Sequence, residues 1–298
     1  SGDLLFYCHT NYVPLWFVGY NRLGIVWNKN NDIMENGDSL VGTGRYYEMI
    51  IVPDMLNNNR YYLFHTGETS NGQLFYSVID QSYNNGLGKV IQKNILLDSL
   101  NGENVTDGLT AIKHGNGRDW WIVFRSYGAS ANNTFHKYLI TPNGIQHFPD
   151  QQIGTSTLAG FIRLKFNNRG NKLLLHNTWG LMELYDFNRC SGDFSNLKII
   201  HPEISSKEDA YWAAEFSPND SLLYISTEDI PSYLYQFDPN ATNIYSSKVV
   251  LDSVSFPLYT GGDLKLSIDG KIYRSSVYYN GTNYPFPYPD SVYNIYNM

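Results

Sequence analysis

Three histidines raise the first question about chemistry. His9, His65 and His176 each stand near the end of a short apolar segment, and Arg125, Thr227 and Ser276 hold the corresponding region of other segments. Imidazoles gathered at one mouth of a fold could ligate a metal or move protons. A metal centre needs several donors converging within about 2.2 Å of one ion. The three histidines sit at different offsets, which favours ordinary polar residues at strand ends. Carboxylates come next: Glu68, Glu228 and Asp229 follow such segments, while Glu48, Asp107 and Asp263 stand at or before others. Two carboxyl groups about 5–9 Å apart could cleave a glycosidic bond. Acidic side chains in loops are mostly solvated, and that reading is preferred here. The sequence has no His-Glu-x-x-His, Cys-x-x-Cys, Walker loop or Gly-x-Ser-x-Gly. It therefore nominates no catalytic residue, no metal ligand and no cofactor.

Aromatic residues give a stronger indication, of binding. Trp16, Phe17 and Tyr20, then Tyr127, Trp179, Tyr278 and Tyr279 fall in loops, and Tyr46, Tyr47, Tyr211 and Trp212 stand where strands begin. Exposed rings beside amides and carboxylates suit carbohydrate or protein contacts, because ring faces stack while polar edges orient. Trp16, Tyr20, Tyr47, Tyr127, Trp179, Tyr211 and Tyr279 are the candidate ligand-binding residues. Trp212 is expected to pack internally.

The elements that would position these rings form a repeat. An apolar strand, a polar turn, a second apolar strand, a loop and a third strand often ending in Asp recur at roughly 50–60 residues, close to the spacing of propeller blades. One copy runs from Trp212 to Ser226 and then Tyr233 to Asp238; another runs from Ile162 to Leu175 and then Leu181 to Asp186. Aligning second strands sets Leu4, Tyr61, Trp120, Leu173, Leu222 and Ile272 in one column. Ser217-Pro218-Asn219-Asp220 and Ser267-Ile268-Asp269-Gly270 are turn sequences, because Pro presets φ, Asn and Asp cap their own backbone, and Gly accepts positive φ. Fourth strands are fainter, at Val90 to Ile95, Lys198 to Ile200 and Lys248 to Leu251, as expected for short polar outer edges. The predicted fold is an all-β propeller of four-stranded antiparallel blades, with residues 1–298 as a single domain. The first copy lacks its innermost strand and the last has no clear fourth strand. About six repeats are therefore visible, and the domain reads as incompletely covered at both ends.

Composition agrees. The chain has 298 residues, with 25 Tyr, 15 Phe and 6 Trp and only 16% charged residues. Aromatics favour half-buried pleated surfaces. The net charge is −7 and no Lys/Arg run occurs, so the electrostatic footprint of a nucleic-acid binder is missing. No segment approaches the roughly 20 apolar residues of a membrane helix, so direct membrane insertion is not expected. Ser1-Gly2-Asp3 leads directly into Leu4-Leu5-Phe6-Tyr7, which reads as a cut end. Cys8 and Cys190 lie far apart in different repeats and are expected to be free, mostly packed thiols.

The run Gly2-Asp-Leu-Leu-Phe-Tyr7, then Val26-Trp-Asn-Lys-Asn30 and Met34-Glu-Asn-Gly-Asp38, resembles the propeller domain of large secreted Bacteroidetes proteins. Leu74 to Asp80, Asn85 to Gly88, Lys93 to Leu97, Leu109 to His114, Asp119 to Trp121, Phe216 to Pro218, Leu234 to Asp238 and Asp269 to Tyr273 continue the likeness in order. The resemblance implies a WD40/YVTN-like seven-bladed parent ring. It also implies export, commonly by the type IX system, to the cell surface or outside the cell, often beside adhesion modules. It supplies no active site. Exported Bacteroidetes proteins carry O-glycans on Asp-Ser/Thr-aliphatic triplets, and Ser99 and Ser253, in apparent loops, are the candidate positions. The expected function is a non-catalytic binding or scaffold propeller that meets a glycan or protein partner through one loop-rich face. The alternative is a lactonase-like or glycan-cleaving propeller with an axial acid/His site.

Overall fold

A computed structural model describes the chain except residues 1–2, 11–23, 43–46, 68–72, 101–102, 104, 106, 127–131, 159–160, 204–208, 229, 256–257 and 279–298. For 258–261 and 276–278 it describes backbone alone. The described residues hold twenty strands and no α-helix. They divide into two compact units, Ser1–Gly160 with Arg189–Gly192, and Phe161–Asn188 with Asp193–Met298.

In the first unit, β1 (Phe6–His9) pairs with β2 (Ile25–Asn28). A four-stranded meander follows: β3 (Met49–Pro53), β4 (Arg60–Gly67), β5 (Gln73–Asp80) and β6 (Lys89–Asp98). The next is β7 (Thr110–Lys113), β8 (Trp120–Arg125), β9 (Asn132–Thr141) and β10 (Gly144–Thr157). The second unit has the meander β11 (Ile162–Phe166), β12 (Lys172–Asn177), β13 (Met182–Asn188) and β14 (Asp193–His201). It also has β15 (Tyr211–Phe216), β16 (Leu223–Thr227), β17 (Ser232–Phe237) and β18 (Val249–Val254), then the pair β19 (Leu258–Leu266) and β20 (Ile272–Tyr278). Every pairing within these sheets is antiparallel between consecutive strands. This is the blade meander of a multi-blade β-propeller, and the sheets match the six repeats.

One backbone hydrogen bond recurs at the first turn of five sheets. It runs from Asp54 N to Arg60 O, His114 N to Asp119 O, Asn167 N to Lys172 O, Ser217 N to Leu222 O and Ser267 N to Lys271 O, at 2.8–3.1 Å. Gly270, at φ +79, completes the last of these turns where an L side chain is disfavoured. The bond corrects the sequence alignment by one residue: Leu223, not Leu222, shares the column of Tyr61, Trp120, Leu173 and Ile272. The Asp that closes third strands has a partner at a fixed register. Arg60 opposes Asp80 and pairs with it at 2.7 Å; Lys172 opposes Asp186 and pairs at 2.8 Å.

The four-stranded blades bury both faces. In β16, Leu223 and Ile225 join Leu174, Met182, Tyr211 and Phe237 in one cluster, while Tyr224 between them joins Ala213, Leu264 and Ile272 in another. In β4, Leu63 packs with Val26 and Ile79, and Phe64 packs with Ile122 and Phe124. Successive side chains of a strand point to opposite faces, so a strand buried on both reads as a continuous apolar run. Polar groups fasten the joints between blades. Glu215 on β15 meets Lys165 of β11 at 2.7 Å and accepts the Leu266 N–H of β19 at 2.9 Å. Asp220, in the β15–β16 turn, accepts the Asn168 N–H at 2.8 Å and the Arg169 N–H at 3.0 Å from the β11–β12 turn.

Three expectations are corrected. The fourth strands are not short: β10 runs fourteen residues and β6 ten. Ser253 lies within the outer strand β18, not in a loop. Both cysteines are free, but Cys190 is exposed, whereas Cys8 is half-buried and burial pushes its thiol up to about 12.

The histidines of the sequence reading are mostly structural. His65 is buried, with Nδ1 donating to Val41 O at 2.7 Å and Nε2 3.1 Å from Ser77 Oγ. Burial lowers its pKa to about 4, and burial followed by the nearby Arg163 charge lowers that of His176 to about 3. His9 is exposed and stacks on Trp27.

Two predictions follow from this packing. Ile225→Ala should cost about 2–5 kcal/mol in urea unfolding, whereas Ile268→Ala, at a 98% exposed turn position, should change stability by less than about 0.5 kcal/mol. His65 binds its proton more weakly folded than unfolded, so the unfolded state takes up more protons below its ordinary value. Stability is then complete above about pH 6.5 and falls toward about pH 4. The loss between pH 7.5 and 5.0 should shrink by about 2 kcal/mol in His65→Gln; an equal loss in both proteins would exclude His65 as its source.

Candidate functional site

The described aromatic candidates separate into three environments. Tyr211 is fully buried and donates its hydroxyl to Asp209 Oδ1 at 2.9 Å, so its ring is a core element and not a stacking platform. Burial and the Asp209 charge raise its pKa. Tyr47 lies in a turn of the first unit at φ +53, partly exposed. Trp179 presents 43% of its surface at the tip of the β12–β13 turn in the second unit. Trp16, Tyr20, Tyr127 and Tyr279 lie outside the described residues. Trp212 packs as expected, with the Arg163 guanidinium 4.1 Å over its ring. Among the acids, Glu48 and Asp107 are buried, Glu228 is half-buried and Asp263 is exposed; Glu68 and Asp229 lie outside the described residues. Ser99 is exposed just after β6, and Ser253 is exposed on β18.

Trp179 stands on a turn with little freedom. The Asn177 side-chain oxygen accepts the Trp179 N–H at 2.9 Å and the Leu181 N–H at 3.0 Å. An Asn oxygen bridging two later amides fixes a tight turn, and Gly180 supplies the φ of +93 that it needs. The turn is tied down once more. Gly180 O accepts a hydrogen bond from His201 Nδ1 at 2.8 Å, which places the proton of that ring nitrogen, since a carbonyl only accepts.

His201 also opens the neighbouring groove. It ends β14 beside a bulge, where Met182 pairs with His201 but Glu183 pairs with Ile199. Its ring packs against Tyr245 at 4.7 Å and edge-on to Tyr211 at 6.0 Å. Tyr245 belongs to a 3₁₀ turn, Tyr245–Ser247, between β17 and β18. The groove measures about 610 Å³ and is lined by Lys198, His201, Pro202, Asn243 and Tyr245 among others. Behind it the Lys248 ammonium lies 4.6 Å from the Tyr245 ring and 4.9 Å from the Tyr235 ring, and it donates to Tyr245 Oη at 3.1 Å. Cation–π contact and a hydrogen bond together hold Tyr245 in place. The result is an exposed indole on a fixed turn, next to a groove lined by a tyrosine, an imidazole, an amide and the Lys198 side chain.

Trp179 is legible in the sequence as an exposed aromatic, whereas His201, Asn243, Tyr245 and Lys248 are not. His201 follows a segment read only as a weak fourth strand. A Tyr in a short loop carries no local mark of its role; the Lys248 that seats it, three residues on, was the available signal.

No protein-family model matches this sequence, and no curated protein matches it. Solved structures do resemble it. A proposed 6-phosphogluconolactonase from Bacteroides uniformis ATCC 8492 aligns at a TM-score of 0.51 and 14% identity, over 92% of this chain and 76% of that one. Another, from Bacteroides fragilis NCTC 9343, aligns at 0.46 and 11% identity, over 92% and 88%. The β-propeller domain of Cps50 (Swd1) from Myceliophteria thermophila aligns at 0.44 and 9% identity, over 85% and 86%. At these identities the likeness is one of fold alone.

Proposed function

We propose that this chain is a non-catalytic binding propeller that holds a glycan at the Trp179 turn and the adjoining groove. The observation that carries this reading is the bond from His201 to the Trp179 turn, which joins the turn that presents the exposed indole to a groove lined by polar and aromatic groups. A sugar ring offers an apolar face to an indole and hydroxyls to amide, imidazole and ammonium groups. Rigid aromatic anchors lose little entropy on binding. The exported location implied by the family resemblance goes with this reading, and recovery of the protein from the cytoplasm on cell fractionation would remove it.

A hydrolase is the competing reading. Ser126 Oγ lies 2.9 Å from His136 Nε2, and His136 Nδ1 lies 3.1 Å from Asp150 Oδ1. This is the order of a hydroxyl–imidazole–carboxylate triad. Ser126, however, is 0% exposed and its hydroxyl donates to Glu103. A substrate carbonyl cannot approach that oxygen, so the observation does not favour acyl transfer.

On a glycan array the protein should bind a defined set of saccharides. Trp179→Ala should weaken that binding at least about tenfold and change unfolding free energy by less than about 0.5 kcal/mol. Absence of saccharide binding, or equal binding by Trp179→Ala, would refute the assignment; capture of a protein by wild type alone would move the site to a protein partner.

A further inference from the structure

We propose that the second meander of the first unit carries a Zn²⁺ site formed by His136, His147 and Asp150. In a regular strand His147 and Asp150, three positions apart, face opposite sides of the sheet. Pairing across β9–β10 shows why they do not. Lys137 pairs with Phe148 and Phe135 with Gln151, so Pro149 and Asp150 together oppose His136. This bulge carries one extra residue, which restores Asp150 to the side of His147. Pro149 fits there because it has no N–H to lose from a ladder. His147 opposes Tyr138, two residues from His136, so all three side chains share one face.

The donor atoms converge. Asp150 Oδ1 is 3.1 Å from His136 Nδ1 and 2.9 Å from His147 Nε2, and the three donors lie within 4.8 Å of one another. Donors around a tetrahedral ion with bonds of about 2.0–2.2 Å stand roughly 3.3 Å apart. Two imidazoles and a carboxylate are a zinc donor set, and three protein ligands leave one position for water or a ligand. His147 and Asp150 are exposed, so an ion can enter.

The surroundings of His136 give the independent reason for a cation. The ring is buried and stacks on Phe124 at 4.9 Å. It faces a carboxylate at each nitrogen: Asp150 at Nδ1 and Glu103 at Nε2, 3.2 Å away. A neutral imidazole has one N–H; because the Ser126 hydroxyl, 2.9 Å from Nε2, donates to Glu103, the lone pair left on either nitrogen would face acceptor oxygens. With Zn²⁺ on Nδ1, the remaining Nε2–H donates to the Ser126 oxygen at 2.9 Å and to Glu103 at 3.2 Å, and both nitrogens are satisfied. A ligating histidine whose other nitrogen donates to a carboxylate is the common outer-shell arrangement of zinc sites. Tyr138 packs against the His147 ring at 4.9 Å while its own hydroxyl donates to Asp98.

The test is a Zn²⁺ titration of the full chain by calorimetry after chelator treatment, with Co²⁺ as an absorbing substitute. The expected result is one ion per chain, with visible Co²⁺ bands of a four-coordinate site. His147→Ala and Asp150→Asn, both at exposed positions, should each lower affinity at least tenfold, with folding checked by circular dichroism. Glu103→Gln should lower it by about 10–100-fold, and His9→Ala should leave it unchanged. The site is overturned if wild type shows no saturable Zn²⁺ binding, or if His147→Ala and Asp150→Asn bind as wild type does.

Discussion

A four-stranded sheet of this chain has two apolar faces, and water must be kept from both. The rest of the structure depends on that constraint. In β16, Leu223 and Ile225 look one way and Tyr224 the other, and all three are buried. Burying apolar surface is worth about 25 cal/mol per Å², so a sheet with one bare face would forfeit much of its stabilisation. In the first unit β4 is covered on one side by residues of the β1–β2 pair and on the other by the β7–β10 sheet, and in the second β16 is covered by the β11–β14 sheet and by β19–β20. Within each unit the sheets therefore stack face to face, and turns and outer strands are left at the rim.

Stacking also decides where polar groups can stand. A joint between two blades excludes water, so any charge there needs a partner. Glu215 has Lys165 and a backbone amide of β19. Burial lowers the Lys165 pKa and its Glu215 partner opposes that shift. Asp220 caps a turn of the neighbouring blade. His65 and His176 are held neutral by burial. Residues that look chemically able in the sequence are thereby absorbed into joints, and the groups free to meet a ligand are those on turns and bulged outer strands.

Two bulges do most to shape those outer positions. The one in β14 accompanies His201 beneath the Trp179 turn, and the one in β10 places Asp150 beside His147. In both, one extra residue turns a side chain away from the face that alternation would give it. The groove beside His201 and the proposed zinc site thus arise from the same departure from strand regularity, in different blades.

The strand–turn–strand repeat, the hairpin turns, the β composition and the exposure of Trp179 at a turn were all legible in the sequence, because apolar runs and turn residues act over a few neighbours. Local patterns also sufficed to place Asp80 at the end of one third strand and Asp186 near the end of another. What they could not reveal was burial from the far side. Tyr211 reads as a rim aromatic, yet it is covered by β12, β13 and its own blade. His136, His147, Asp150 and Glu103 show no motif, because a bulge and a loop of the preceding blade bring them together. His201 and Tyr245 meet only where two blades adjoin. The sequence by itself determined the blade; which side chains converge between blades was decided by tertiary structure, since convergence depends on strand register and face, and one inserted residue reverses both.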